Sequence, residues 1–199
     1  MEALIFEKIY TDYLEKVAAL DLSTKIEVLG IRVSGDRIEI PLYNRIFTIT
    51  PQGIEDAGGN KPHHAISVIL CQYLLLSPDQ PGGDDALATF KDFKDAAPYV
   101  GGFKNTTEKP IATHFTGKID TLKNRCAKLG AKPYQTEVSC QLALKFSALP
   151  RVPIYLLFND KDEEFSADCT LLFERSADRY LDMECLAILG SLLAAWLKS

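Results

Sequence analysis

The densest group of side chains that could do chemistry is the acidic run at positions 160–164, which contains four carboxylates. Carboxylate oxygens bind hard cations such as Ca²⁺ and also serve as general acids or bases. The pattern of a calcium-binding loop is not met, because Phe165 stands where the loop needs glycine and Leu171 where it needs a bidentate glutamate. Two interpretations stay open: a solvated hairpin turn, or a turn that places Asp162 or Glu164 at the rim of a pocket.

Arg175 is the basic side chain that could complete such a site. It stands beside Glu174, just after a second strand candidate, and a guanidinium can bind a carboxylate through two parallel hydrogen bonds. The sequence therefore predicts a ligand-binding group of Asp162, Glu164 and Arg175. In an enzyme, the two carboxylates would be the acid/base candidates and Arg175 would anchor an anion. The catalytic residues are otherwise unknown, since no GxSxG, HExxH, GxGxxG or GxxxxGK[ST] motif occurs.

The histidines and cysteines predict neither a metal site nor a cofactor. His63 and His64 are adjacent, and on a helix they would point about 100° apart, which makes binding of one ion by both difficult. The five cysteines include no CxxC pair, whereas zinc and iron–sulfur sites draw on closely spaced thiolates. We expect five reduced, mostly buried thiols; the alternative is one reactive thiol at Cys169 or Cys185.

The carboxy-terminal stretch of the chain must position the acidic run. Residues 152–158 are an apolar run entered through Pro150 and Pro153, which is typical of a buried strand, and 165–173 is a second strand candidate. Asp182 is a suitable N-cap for a helix over 181–197. A helix this apolar should be buried against the two strands, and its uncharged part is too short to span a bilayer.

The remaining periodicity predicts an α+β protein with a mixed or antiparallel sheet covered by helices and a buried C-terminal helix. We expect one domain over 1–199, made of an N-terminal helix and meander (1–56), a helical middle (61–130), and C-terminal strands and helix (135–198). The predicted elements before the C-terminal stretch are a helix at 2–20, about three strands within 23–50, helices at 61–77 (with Pro62 in its first turn), 86–93 and within 106–129, and a strand at 135–146.

Composition narrows the range of partners. The chain has 199 residues, of which 47% are hydrophobic, and a formal net charge of −5. A negative net charge gives no general attraction to nucleic acid or to an anionic membrane, so neither is expected as a partner. The N-terminus carries Glu2 and Glu7 and no basic region of the kind that begins a signal peptide, which predicts a cytoplasmic protein.

Several blocks of residues resemble a known family. The blocks are Phe90-Lys91-Asp92-Phe93, the run Ala148-Leu149-Pro150-Arg151-Val152-Pro153, the run Asp162-Glu163-Glu164-Phe165-Ser166-Ala167, and the pairs Leu172-Phe173 and Tyr180-Leu181. In these blocks and their spacing the chain is similar to domain of unknown function 3786, a prokaryotic family with no assigned activity; the family pattern has proline where Ser166 stands. The resemblance implies an anaerobic organism and a redox or corrinoid context. Some members carry a four-cysteine iron–sulfur segment, which this chain lacks.

Three hypotheses for function follow from these observations. The first is a non-catalytic binding or accessory domain in anaerobic metabolism, with an unknown protein or small-molecule partner. Two observations support it: the sequence contains no recognisable set of catalytic residues, and it resembles the family named above. The second is an enzyme with its site around the acidic turn 160–164 and Arg175. The third is an oligomerising structural protein. The place of the acidic turn in the fold distinguishes the first two, since an enzyme would need it in a pocket beside Arg175.

Overall fold

The polypeptide forms two antiparallel sheets with helices packed against them. The computed structural model describes residues 2–83 and 85–199, with side chains from residue 8 onward. The strands are β1 (Arg32–Ser34), β2 (Arg37–Leu42), β3 (Arg45–Thr50), β4 (Gly53–Asp56), β5 (Leu87–Thr89), β6 (Lys132–Pro133), β7 (Leu142–Leu149), β8 (Val152–Asn159) and β9 (Asp168–Glu174). The helices are α1 (Glu2–Ala18), α2 (Ile26–Leu29), α3 (His64–Leu75), α4 (Val100–Phe103), α5 (Lys109–Phe115), α6 (Ile119–Lys128) and α7 (Met183–Lys198). A π-helical turn (Lys104–Glu108) joins α4 to α5, and 3₁₀ turns cover Phe90–Asp92 and Arg175–Arg179. The α+β class predicted from the sequence is confirmed.

The first sheet is a meander in which β1, β2, β3 and β4 pair in chain order. Buried and less buried residues alternate along β2, so that Ile38 and Ile40 face the core while Glu39 points the other way. Ile40 lies opposite Phe47 of β3, and both side chains are buried. The prediction of about three strands omitted β4, which pairs with β3 in the antiparallel sense and extends the meander to four strands.

The second sheet has the strand order β5-β9-β8-β7-β6, with every neighbouring pair antiparallel. Strand β8 is central, and all of its side chains from Val152 to Phe158 are buried. Leu156 lies between Leu144 of β7 and Leu171 of β9. The buried strand predicted over 152–158 is therefore confirmed, and its continuous apolar run reflects burial on both faces.

Helix α7 is the buried C-terminal helix that the sequence predicts. The Asp182 side chain caps it by accepting a hydrogen bond from the Cys185 N–H at 2.7 Å. Leu186, Leu189 and Leu193 have no solvent exposure, as their spacing on one helical face requires. No helix in the described part of the chain is long and apolar enough to cross a membrane.

The two sheets and α7 meet at Tyr43, in the turn between β2 and β3. The Tyr43 N–H donates to the Ala148 carbonyl of β7 at 2.7 Å, and its buried hydroxyl donates to the Leu189 carbonyl of α7 at 2.8 Å. Strand β7 has a register shift between Phe146 and Leu149. A bulge of this kind bends a strand and frees backbone groups for other partners, here the turn of the first sheet.

The predictions differ from the structure at three strands of the second sheet. Residues 86–93, predicted as a short helix, form β5 and a 3₁₀ turn, because β5 supplies partners for the outer edge of β9 and the Ala86 carbonyl accepts from the Arg175 N–H. The strand predicted over 135–146 begins only at Leu142. The residues before Leu142 form a loop, and the Gln141 N–H in this loop donates a hydrogen bond to the Phe158 carbonyl near the end of β8. The strand predicted from 165 begins at Asp168.

Two helix predictions also needed correction. The helix within 106–129 is interrupted at Gly117, which adopts a left-handed φ of +70° and donates its N–H to Asp160 at 2.6 Å. The chain therefore turns between α5 and α6 rather than continuing as one helix. Helix α3 begins at His64, and the His63 side chain caps it by accepting from the Ala65 N–H. Pro62 thus precedes the helix instead of standing in its first turn.

Candidate functional site

A polar pocket lies where the turn between β7 and β8 meets the end of β9. Its volume is about 230 Å³. We call it the hairpin pocket, and its polar lining side chains come from three segments of the chain: Asp85; Lys145, Ser147 and Arg151; and Glu174, Ser176 and Tyr180. Part of its wall is the turn Leu149-Pro150-Arg151, which belongs to one of the blocks that resemble the family pattern.

Strand register explains why Lys145, Tyr155 and Glu174 come together. Lys145 of β7 lies opposite Tyr155 of β8, and Glu174 is two residues beyond Leu172, the residue opposite Tyr155 on β9. Residues at these positions point to the same face of an antiparallel sheet. The neighbouring Leu144 and Phe146 point to the other face, into the core. The polar side chains of β7 are thereby directed into the pocket.

The three side chains form a hydrogen-bonded charge cluster. The Tyr155 hydroxyl donates to Glu174 Oε1 at 2.7 Å, and Lys145 Nζ lies 3.6 Å from the same oxygen. Lys145 Nζ also lies 4.9 Å from the centre of the Tyr155 ring, and the Tyr134 ring contacts that ring edge-on from outside. Burial, together with the hydrogen bond to Glu174 and its negative charge, raises the pKa of Tyr155 well above its ordinary value. Tyr155 is therefore a neutral donor that holds the Glu174 carboxylate in place.

Arg151 brings a positive charge to the pocket while also bonding to the first half of the chain. Its Nε donates to the Val28 carbonyl at 2.9 Å and its Nη2 donates to the Glu27 carbonyl at 2.6 Å, both at the C-terminal end of α2. Among the residues that the structure describes, Arg151 has no carboxylate partner within ion-pair distance. A guanidinium carries five N–H donors, so further donors remain beside the pocket.

Gly82 and Asp85 line one side of the pocket. The Gly82 N–H donates to the Tyr180 hydroxyl at 2.7 Å, and Lys25 Nζ forms an ion pair with Asp79 at 2.7 Å. A Cβ atom at Gly82 would come within 2.7 Å of the Ser176 Cβ, closer than packed atoms approach. Glycine is therefore required at position 82 because the loop backbone lies directly on the segment after β9.

The acidic turn lies at the other end of the second sheet. Asp162 Oδ1 accepts hydrogen bonds from the N–H groups of Glu164 at 2.9 Å and Phe165 at 2.7 Å, and these bonds lower the pKa of Asp162. Asp160 Oδ1 accepts from the Gly117 N–H. Asp162 and Glu164 are both exposed, and neither lines the hairpin pocket. The carboxylates of Asp160 and Asp162 thus hold their own turn and the neighbouring α5–α6 connection.

The structure does not bring Arg175 to Asp162 and Glu164. The acids precede β9 and Arg175 follows it, so a strand of seven residues separates them, about 23 Å at 3.3 Å per residue. Arg175 acts on a different acidic group: hydrogen bonds from Thr89 lower the pKa of Asp92, and the positive charges of Lys91 and Arg175 lower it further. In the part of the chain that the structure describes, Arg175 forms no ion pair with the acidic turn.

The cysteines are mostly buried, as predicted. Burial raises the pKa of the Cys71 and Cys126 thiols to about 12, and it also raises the pKa of Cys169 and Cys185. A reactive cysteine needs a lowered pKa and access to solvent, so the alternative of a reactive thiol at Cys169 or Cys185 does not hold. Across the described part of the chain, no group of three His, Cys, Asp or Glu side chains is placed to hold a metal ion.

Sequence reasoning missed the residues of the hairpin pocket. Two signals were present: Lys145 and Ser147 alternate with apolar residues along β7, and Tyr155 brings a hydroxyl group into the apolar run of β8. Neither signal indicates a site until the register places Lys145 opposite Tyr155 and brings Glu174 to the same face.

The fold and the site define an α+β protein with a small polar pocket at the end of its second sheet. A family model described as Domain of unknown function (DUF3786) matches residues 21–196, and the chain belongs to this family. The residues that line the hairpin pocket all lie within the matched range. No curated protein and no solved structure was found to match the chain.

Proposed function

We propose that the chain is a non-catalytic binding domain whose hairpin pocket takes a small metabolite that carries an oxyanion, such as a carboxylate or a phosphate. The observation that carries this proposal is the guanidinium of Arg151, which lines the pocket without a carboxylate partner among the described residues. Lys145 and the hydroxyls of Ser147 and Ser176 add further hydrogen-bond donors on the same lining. The ligand's oxyanion would lie between Arg151 and Lys145.

The volume sets the size of this ligand. At ~30 Å³ for each water-sized group, 230 Å³ corresponds to about eight non-hydrogen atoms. This is below the usual range of drug-sized ligand sites, which begins at about 300 Å³. Hydroxy acids, short dicarboxylates and inorganic phosphate are of the right size, and their oxygens can accept hydrogen bonds from the remaining donors of Arg151 and Lys145.

Binding is favoured over catalysis because Glu174, one of the two carboxylates that line the pocket, is already engaged. Glu174 accepts from Tyr155 and lies beside Lys145, which makes it a fixed acceptor rather than a base awaiting a substrate proton. The hydroxyls of Ser147 and Ser176 are hydrogen-bonded to no base within the described residues, so neither is activated as a nucleophile.

The wider role that we propose is that of an accessory domain in anaerobic metabolism, in a redox or corrinoid context. The support for this context is membership of the family and what the family resemblance implies about its members. The hairpin pocket would then sense or deliver a small anionic metabolite. Corrinoids, flavins, nucleotides and metal ions therefore belong in the same ligand screen as the small oxyanions.

The test is a thermal-shift screen followed by titration calorimetry on the full chain. The oxyanion panel is inorganic phosphate, acetate, lactate, malonate and succinate, with neutral diols as controls. Ser147→Leu should fill the pocket and weaken binding of the strongest hit by at least about tenfold. Ser34→Leu is the matched control, because Ser34 is also an exposed strand serine but lies on β1.

Two results would contradict the proposal. One is equal binding of the hit by wild type and Ser147→Leu. The other is a loss of binding in the double variant Asp162→Asn, Glu164→Gln with normal binding by Ser147→Leu, since that would assign the site to the acidic turn instead.

A further inference from the structure

A second cavity lies between α1 and the first sheet and shares no lining residue with the hairpin pocket. Its volume is about 380 Å³, within the range of small-molecule sites. Its lining is mostly aliphatic and comes from α1, from the segment after it and from the inner face of the meander, as shown by Leu14, Val17, Leu22, Ile26, Ile38 and Ile49. We call this cavity the α1 pocket.

Two hydrogen bonds connect α1 to the elements beside the α1 pocket. The Tyr10 hydroxyl accepts from the Ile54 N–H at 2.8 Å, which fixes α1 against the edge strand β4. The Tyr13 hydroxyl accepts from Gln72 Nε2 of α3 at 3.0 Å. The two tyrosines anchor one side of the helix, while Leu14, Val17 and Ala18 face the cavity.

The rim of the α1 pocket carries acceptors and one negative charge. Asp36 stands in the turn between β1 and β2, is exposed, and has no ion-pair partner among the residues described. Thr50 is already engaged, because its hydroxyl accepts from the Gln52 N–H and donates to the Gly53 carbonyl. The part of the lining that the structure describes includes no lysine or arginine. A cationic head group would therefore be attracted to this rim, and a carboxylate would be repelled.

We propose that the α1 pocket binds an amphiphilic amine with an aliphatic body of about a dozen non-hydrogen atoms. The size follows from the volume of 380 Å³ at ~30 Å³ for each water-sized group. The aliphatic body lies among the side chains of α1 and the meander, and the ammonium group lies at Asp36. This site is distinct from the hairpin pocket, and its ligand has the opposite charge.

Calorimetric titration of the full chain with four probes tests this proposal. Octan-1-amine should bind with one-to-one stoichiometry, octan-1-ol more weakly, and octanoate the most weakly of the three. Each buried CH₂ contributes about fourfold in affinity, so butan-1-amine should bind at least about 100-fold more weakly than octan-1-amine. A negative heat-capacity change on binding is expected, because apolar surface is buried.

Two adjacent alanines provide the matched variants. Ala18 lines the pocket and Ala19 does not, although both are exposed. Ala18→Phe should weaken octan-1-amine binding by at least about tenfold, whereas Ala19→Phe should leave it unchanged. Asp36→Asn should weaken octan-1-amine towards the affinity of octan-1-ol without changing that of octan-1-ol, since it removes the charge and keeps the pocket.

Three results would overturn the proposal. They are octanoate binding as tightly as octan-1-amine, equal effects of Ala18→Phe and Ala19→Phe, and no saturable binding of octan-1-amine to folded wild-type protein. Asp36→Asn keeps the question decidable if Ala18→Phe fails to fold, because an exposed turn residue can be changed without disturbing the core.

Discussion

Removal of the Tyr155 hydroxyl should destabilise the protein by about 1 kcal/mol. Tyr155→Phe keeps the ring against Lys145 and Tyr134 but deletes the 2.7 Å hydrogen bond to Glu174. A hydrogen bond to a charged group contributes about 1.5–3 kcal/mol net. We place the value below that range, because the Glu174 side chain keeps 15% exposure and Lys145 remains 3.6 Å away to compensate the carboxylate.

A double-mutant cycle separates this bond from general loss of packing. The variants are Tyr155→Phe, Glu174→Gln and the pair together, each unfolded with urea to obtain the free energy of unfolding. We expect a coupling energy of about 1 kcal/mol between the two positions, since the two side chains are in direct contact. Tyr134→Phe is the control: it removes a hydroxyl from the neighbouring ring, which has no side-chain hydrogen bond among the described residues, and should cost under about 0.5 kcal/mol.

A coupling energy near zero would refute the reasoning, because it would mean that Tyr155 does not hold the Glu174 carboxylate. A loss in Tyr134→Phe equal to that in Tyr155→Phe would also refute it, since hydroxyl loss alone would then explain the effect. The same variants report on the site, because without the Tyr155 hydroxyl the position of Glu174 in the hairpin pocket is less fixed.

Three further changes have expected outcomes in thermal melts. Gly82→Ala should lower the melting temperature and weaken ligand binding, because the added Cβ would lie 2.7 Å from the Ser176 Cβ. Gly83→Ala is the control: a Cβ there would have open space around it, so the melting temperature and ligand binding should stay unchanged. Glu108→Gln should raise the free energy of unfolding at pH 7 but not below about pH 4. Burial raises the pKa of Glu108 in the folded protein. The contribution of Glu108 to stability is therefore present below its unfolded-state pKa and is lost as the pH rises through its folded-state pKa. Asp162→Ala should lower stability at pH 7, and the difference from wild type should vanish in acid. Hydrogen bonds lower the pKa of Asp162, so the stability that its carboxylate contributes is lost as the pH falls through that pKa. Equal melting temperatures of the variant and wild type at pH 7 would contradict this prediction.

The sequence predicted the elements whose apolar pattern is strong enough to be decisive on its own. Strand β8 and helix α7 were placed to within about two residues, which is the usual disagreement at element ends. The segment at 86–93 was misassigned because its strand conformation depends on pairing with β9, which is distant in sequence. The break at Gly117 has a local signal in the glycine itself, which adopts a left-handed φ, but the hydrogen bond that holds it comes from Asp160, which is distant in sequence.

The candidate site was less predictable than the fold. The acidic turn attracted attention because its charges are adjacent in sequence, but Asp162 uses its carboxylate to hold the turn itself. The hairpin pocket combines Lys145 and Arg151 of the β7–β8 hairpin with Glu174 of β9, and strand register places Lys145 and Glu174 on the same face. Arg175, predicted as an anion anchor beside Asp162 and Glu164, stands one residue beyond Glu174 and does not line the hairpin pocket, and ligand binding by these three residues stays a prediction.

Chemical-shift mapping on ¹⁵N-labelled protein tests most directly whether the hairpin pocket is the ligand site. The strongest oxyanion hit is titrated into the full chain, and amide shifts are followed to saturation. The account predicts the largest shifts at residues 145–153 and 174–180, with residues 160–168, 14–22 and 33–38 unaffected. Saturable shifts centred on 160–168, with none at 145–153, would contradict it and assign binding to the acidic turn.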